Sequence, residues 1–186
     1  MMANMEIQRF EFNDLCLLTP PIFYDDRGFF CERFKEKTLK DFGVKEHFIQ
    51  DNFSRSKPNV LRGMHYQSDP AQSKLVTCIT GSIQDVVVDL RTNQPTFGKY
   101  FSTVLSAENP QWLYVPTGFA HGFLVLSSEG ADVIYKVNAP YTPSSEASIA
   151  WNDSFLNIDW KCKNPILNSK DRAAPSWGQF LEINPF

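Results

Sequence analysis

A chain of 186 residues with 42% hydrophobic and 21% charged side chains has the make-up of an ordinary globular protein, long enough for one domain over residues 1–186. A net charge of −3 offers no electrostatic footprint for nucleic acid, and the opening MMANMEIQRF lacks the apolar stretch of a secretion signal. Four scattered cysteines (Cys16, Cys31, Cys78 and Cys162) form no C-x-x-C pair and read as the reduced thiols of a cytoplasmic protein.

From the N-terminus onward, helical periodicity appears only around Lys35–Phe42, where Gly43 supplies a stop. FIQDNFSRS and LRGMHYQ then read as strands. KLVTCI and IQDVVVDL flank Thr80-Gly81-Ser82, a short hairpin signal. In the second of these, Val86, Val88 and Leu90 share one face, and Asp85 and Asp89 the other. KYFSTVL is a further strand. Residues 109–128 carry no formal charge, but Pro110, Pro116, Gly118, His121 and Gly122 interrupt them, so the run does not read as a membrane span. It reads as WLYV and FAHGFLVL joined by a turn. In ADVIYKV, Val133, Tyr135 and Val137 recur with a period of two, and ASIAWN closes the series. Many short strands punctuated by twelve prolines and nine glycines predict an all-β sandwich or barrel.

Three histidines, His47, His65 and His121, narrow the search for chemistry. A metal site in a β-barrel favours His-x-His, but the position two after His65 is Gln67, a poor ligand. No G-x-S-x-G elbow, activated cysteine or glycine-rich phosphate loop is present. What remains is a set of acid–base residues on strands: His65, Lys74, His121 and Tyr135, with several arginines.

DDRGFFCERF, FIQDNFSRS, VLRGMHYQ, QSKLV, GSIQDVVVDLR, PTFGKY, YVPTGFAHGFLVLS, VIYK and NSKDRAAP occur in one order, from about Pro20 to Trp177. That series resembles the dTDP-4-dehydrorhamnose 3,5-epimerase family, the cupin-fold sugar epimerases of deoxysugar synthesis. Met64 departs from the family's usual leucine, a volume-conserving change. The resemblance implies a cupin-type jelly-roll barrel with short peripheral helices. It also implies a homodimer with an exchanged strand, no metal or cofactor, and a nucleoside diphosphate 4-keto-6-deoxyhexose as substrate.

The hydrogens on C3 and C5 of such a sugar flank its ketone, so removing either gives an enolate. Inversion needs a base on one face, a proton donor on the other, and a cation or donor at the oxygen that becomes negative. By the resemblance, His65 is the base, Asp171 its carboxylate partner, Lys74 the cation and Tyr135 the acid. Arg27, Arg62 and Arg172 match positions near the nucleotide or diphosphate. Gln50, Asn52, Glu32 and His121 match polar positions around the ligand. Tyr141 is expected to stack on the thymine ring with Glu146 nearby, and Phe30 to supply an apolar wall.

One geometric problem stands out. In a regular strand Arg62 and His65 leave opposite faces, so a shared ligand requires a bulge or irregular start, for which Gly63 is placed. Relatives that invert only C3 or only C5, a non-catalytic sugar-nucleotide binder and a metal-dependent oxygenase are the rival readings. The joint presence of His65, Asp171 and Tyr135 favours inversion at both centres.

Overall fold

The structure is a computed structural model that describes residues 5–186. Its strands are β1 (Glu6–Arg9), β2 (Cys16–Thr19), β3 (Ile22–Asp25), β4 (Gly28–Cys31), β5 (Gln50–Ser56), β6 (Leu61–Gln67) and β7 (Lys74–Thr80). They continue with β8 (Ser82–Asp89), β9 (Tyr100–Ser106), β10 (Trp112–Val115), β11 (Phe119–Val125), β12 (Ala131–Val137) and β13 (Glu146–Ser148). The helices are α1 (Glu36–Asp41), α2 (Ser169–Arg172) and α3 (Trp177–Ile183). None is long and apolar enough to cross a membrane.

Two antiparallel sheets face each other, a six-stranded one in the order β1-β2-β10-β7-β12-β5 and a five-stranded one in the order β13-β6-β11-β8-β9. The expected jelly roll is present. A buried cluster including Leu17, Val76, Leu113, Phe119, Phe123 and Val133 fills the space between the sheets at one end. Outside the five-stranded sheet, Trp177 and Phe180 of α3 cover Met64, Tyr66, Val86 and Val88. Outside the six-stranded sheet, Leu39 of α1 and Val44 pack with Leu75, Trp112 and Tyr114. Both sheets are therefore apolar on both faces over much of their area, and polar side chains on the inward faces are exceptions with a reason.

The alternation read in β8 is borne out: Val86 and Val88 point outward under α3, while Asp85 and Asp89 point inward and are fully buried. The Thr80-Gly81-Ser82 hairpin is corrected. β7 and β8 belong to different sheets, so this turn, with Gly81 at φ +73°, carries the chain around a corner of the barrel. The turn between β10 and β11 does the same, with Gly118 at φ +80°. Local sequence signals a reversal but not whether the flanking strands pair, because that depends on which sheet each apolar face joins. ASIAWN contributes only Ala147 and Ser148 to β13; after Ile149 pairs with Met64, the next amide, that of Ala150, turns to Pro175 O. The predicted helix is α1, followed by Gly43 at φ +87°.

Candidate active site

β6 places Met64 and Tyr66 in the outer cluster, so the alternate positions His65 and Gln67 face the barrel interior. The Nε2 atom of His65 lies 2.5 Å from Asp171 Oδ1. Asp171 is 1% exposed and sits in α2, where Asn168 caps the helix by accepting from Asp171 N at 2.7 Å. The other carboxylate oxygen accepts from Gly63 N at 3.3 Å. One short capped helix thus fixes the carboxylate, and the carboxylate fixes the imidazole, leaving its second ring nitrogen for a substrate.

Directly across the β6–β11 pairing stands His121, whose Nε2 contacts both oxygens of buried Asp85 at 3.0 and 2.9 Å. The opposite wall comes from the six-stranded sheet. β7 contributes Lys74, β12 contributes Tyr135, and β5 contributes Gln50, Asn52 and Ser54. These groups line two adjoining hollows of about 150 and 230 Å³ that share His65, Lys74, Tyr135 and Glu146.

The electrostatics follow from burial. Loss of solvent pushes the Lys74 ammonium down to about 8, with the Glu146 carboxylate pulling the other way. Burial also raises the Tyr135 phenol, partly offset by the charge of Arg62, so the hydroxyl keeps its proton at neutral pH. For Glu146 burial acts against the charge. Hydrogen bonds from Lys170 and Tyr141, with the charges of Lys170 and His65, outweigh it and hold the carboxyl below its usual range.

The parity problem resolves as a bulge. His65 pairs with His121 and Arg62 with Phe123, so three steps along β6 match two along β11. Gly63 takes φ +134°, and a Cβ there would lie 2.5 Å from Gly122 Cα. Arg62 consequently lines the same hollow as His65 while its guanidinium holds Ser56 Oγ at 3.0 Å and Arg55 O at 3.3 Å.

His65, Lys74, Tyr135, Arg62, Gln50, Asn52, His121, Tyr141 and Glu146 line this cavity, with Asp171 directly behind His65. Arg27, Phe30, Glu32 and Arg172 do not. Arg27, at the turn of the β3–β4 hairpin, pairs with Asp25 at 2.6 Å; Phe30 is 67% exposed, and Glu32 pairs with Lys35. Arg172 faces outward on α2 and donates to Leu167 O at 3.0 Å. Its helix neighbour Lys170 instead reaches Glu146 at the cavity rim, a basic residue that the sequence reading passed over. Asp85, Asn168 and Ser54 were also missed. The parity of β5 places Ser54 in line with Gln50 and Asn52, and its buried hydroxyl has no partner among the described residues. No group of three or more metal-ligating side chains is gathered among those residues.

A barrel with a carboxylate-backed base on one wall and a protonated phenol and a lysine on the other has the layout of an acid–base enzyme that inverts carbon centres. The family model described as dTDP-4-dehydrorhamnose 3,5-epimerase matches residues 9–179, and the chain belongs to that family. It is 47% identical over 182 residues to the dTDP-4-dehydrorhamnose 3,5-epimerase of Escherichia coli K12, covering 96% of this chain and 98% of the relative. The crystal structure of Legionella pneumophila dTDP-6-deoxy-D-glucose-3,5-epimerase RmlC, in complex with dTDP-4-keto-L-rhamnose, superposes with TM-score 0.93 at 43% identity over 98% of each chain. ChmJ, a 3'-monoepimerase from Streptomyces bikiniensis in complex with dTDP-quinovose, gives TM-score 0.85 at 30% identity, covering 100% of this chain and 92% of the other.

Proposed function

We propose that this chain inverts C3 and C5 of dTDP-4-dehydro-6-deoxy-D-glucose to give dTDP-4-dehydro-L-rhamnose, a precursor for rhamnose-containing glycans. The observation that carries the reading is that base and acid stand on different sheets: His65 on β6, Lys74 and Tyr135 on β7 and β12. A sugar ring between the walls would meet a base on one face and a donor on the other. His65 takes the proton from C5 or C3, and the electron pair moves into the C4 carbonyl. The enolate oxygen is met by the Lys74 ammonium. Tyr135 then delivers its proton to the opposite face of the same carbon and is reprotonated from solvent while His65 releases its own. Asp171 holds the imidazole tautomer and stabilises the imidazolium in between.

Arg62 supplies a guanidinium for the diphosphate, and Tyr141 an aromatic face for the base. Three of the four remaining predicted residues, all but Arg172, enter through assembly. The β3–β4 hairpin exposes Phe23, Tyr24, Phe29 and Phe30, an aromatic surface that an isolated chain would leave in water. In the proposed homodimer this hairpin crosses to the partner and brings Arg27, Phe30 and Glu32 to its cavity. The protein acts as one catalytic domain in the cytoplasm, where nucleotide sugars are made.

Incubation with dTDP-4-dehydro-6-deoxy-D-glucose and NMR of the product tests the reaction. The L-rhamno configuration is expected; inversion at one carbon would assign the single-centre activity instead. Light scattering of the purified protein tests the assembly, with twice the chain mass expected and a monomer contradicting it.

A further inference from the structure

Two residues beyond His65 on the inward face of β6, Gln67 is 3% exposed and commits its amide to three backbone groups. Its Nε2 donates to Pro70 O at 2.8 Å and to Pro140 O at 3.0 Å, and its Oε1 accepts from Thr142 N at 2.9 Å. Two carbonyls that only accept and one N–H that only donates allow a single orientation of the amide. Pro140 and Thr142 are the two chain neighbours of Tyr141. One side chain therefore grips the backbone on both sides of that tyrosine.

Tyr141 itself is 56% exposed, and among the described residues its hydroxyl makes one hydrogen bond, donating to Glu146 Oε2 at 2.9 Å. The segment around it is tied at further points, Gln72 Nε2 donating to Ala139 O at 3.0 Å and Ser73 N to Asn138 Oδ1 at 2.8 Å. Thr142 adds a local turn, its Oγ1 donating to Pro140 O at 3.5 Å and its carbonyl accepting from Ser145 N at 3.0 Å and Glu146 N at 3.1 Å. Gln67 is the side chain that ties both flanking residues to the strand that carries His65.

We propose that Gln67 is a positioning residue for the nucleotide: it holds Tyr141 at the cavity rim in the place where its ring stacks on the pyrimidine base. The inference rests on the dTDP-sugar reading above and extends it to a residue of the cavity lining whose side-chain amide is committed to the protein's own backbone. Ordering the 139–142 segment during folding spares the nucleotide that cost on binding. Glutamate could not substitute, because its carboxylate would face two carbonyl oxygens.

Calorimetric titration with dTDP alone tests this without depending on turnover. Gln67→Met keeps the volume and removes all three hydrogen bonds; it should weaken dTDP binding about tenfold, a part of what base–aromatic stacking contributes. In turnover the loss should fall on KM rather than kcat. Tyr141→Ala should weaken binding at least as much, and in that background Gln67→Met should add less than about twofold. Unaltered dTDP affinity in Gln67→Met, or effects that multiply in the double variant, would overturn the proposal. Should Gln67→Met fail to fold by circular dichroism, Gln67→Glu is taken through the same cycle; if neither folds, Gln67 serves the fold and the proposal falls. A wild type that binds dTDP but inverts no carbon would refute the reaction proposed above and leave this test intact.

Discussion

Replacing Lys74 by methionine should make the protein more stable and nearly inactive. Lys74 is 8% exposed, and burial lowers the pKa of its ammonium from 10.5 to about 8. At ~1.36 kcal/mol per pH unit, that drop means that holding the charge inside the barrel costs roughly 3 kcal/mol at neutral pH. Methionine has a similar length and no charge, so Lys74→Met should gain about 3 kcal/mol in urea denaturation at pH 7, compared at equal protein concentration. The sign is fixed by linkage: between pH 8 and 10.5 the unfolded lysine binds more protons than the folded one, so wild-type stability rises with pH across that window. The advantage of the variant should be full below about pH 8 and gone above about 10.5, groups common to both proteins cancelling in the difference. Turnover should fall at least about 10²-fold, since the cation at the enolate oxygen is lost. In the wild type, activity should decline as pH rises through about 8, where Lys74 discharges. A variant less stable than wild type at pH 7, or a gap that ignores pH, would rule out a buried Lys74 charge as the source of the cost.

Asp171→Asn should lower kcat by about 10²–10⁴-fold with the fold intact by circular dichroism, because the imidazole loses the partner that sets its tautomer. Tyr135→Phe keeps the packed ring and removes the proton donor. Steady-state kinetics should show kcat falling about 10²-fold or more, with KM within about threefold. Gly63→Ala should destabilise the chain by about 3 kcal/mol in chemical denaturation, since the new Cβ meets Gly122 Cα and φ is +134°.

Period-two patterning revealed the strands that line the cavity, because alternation survives where one face of a strand packs and the other meets a site. It gave no hint of β1 to β4, and the Thr80-Gly81-Ser82 corner read as a hairpin because pairing is decided by distant strands. Within the site, His65 and Arg62 were legible together with the obstacle between them, and Gly63 marked its solution. Lys170 was not separable from Arg172, since only the orientation of the one-turn helix decides which basic residue meets Glu146. Asp85 could be placed on the inward face of β8 from its parity. That it meets His121 required the β8–β11 register, a contact 36 residues apart in the chain. Gln67 looked like a failed metal ligand, and its work became visible only with Pro140 and Thr142 folded against it.

One carboxylate-backed histidine is expected to open both carbon centres. Incubating the wild type and His65→Asn with dTDP-4-dehydro-6-deoxy-D-glucose in heavy water, and following C3 and C5 by NMR, tests it most directly. Deuterium is expected at both carbons with the wild type and at neither with His65→Asn. Exchange persisting at either carbon in the variant, or confined to one carbon in the wild type, would contradict it.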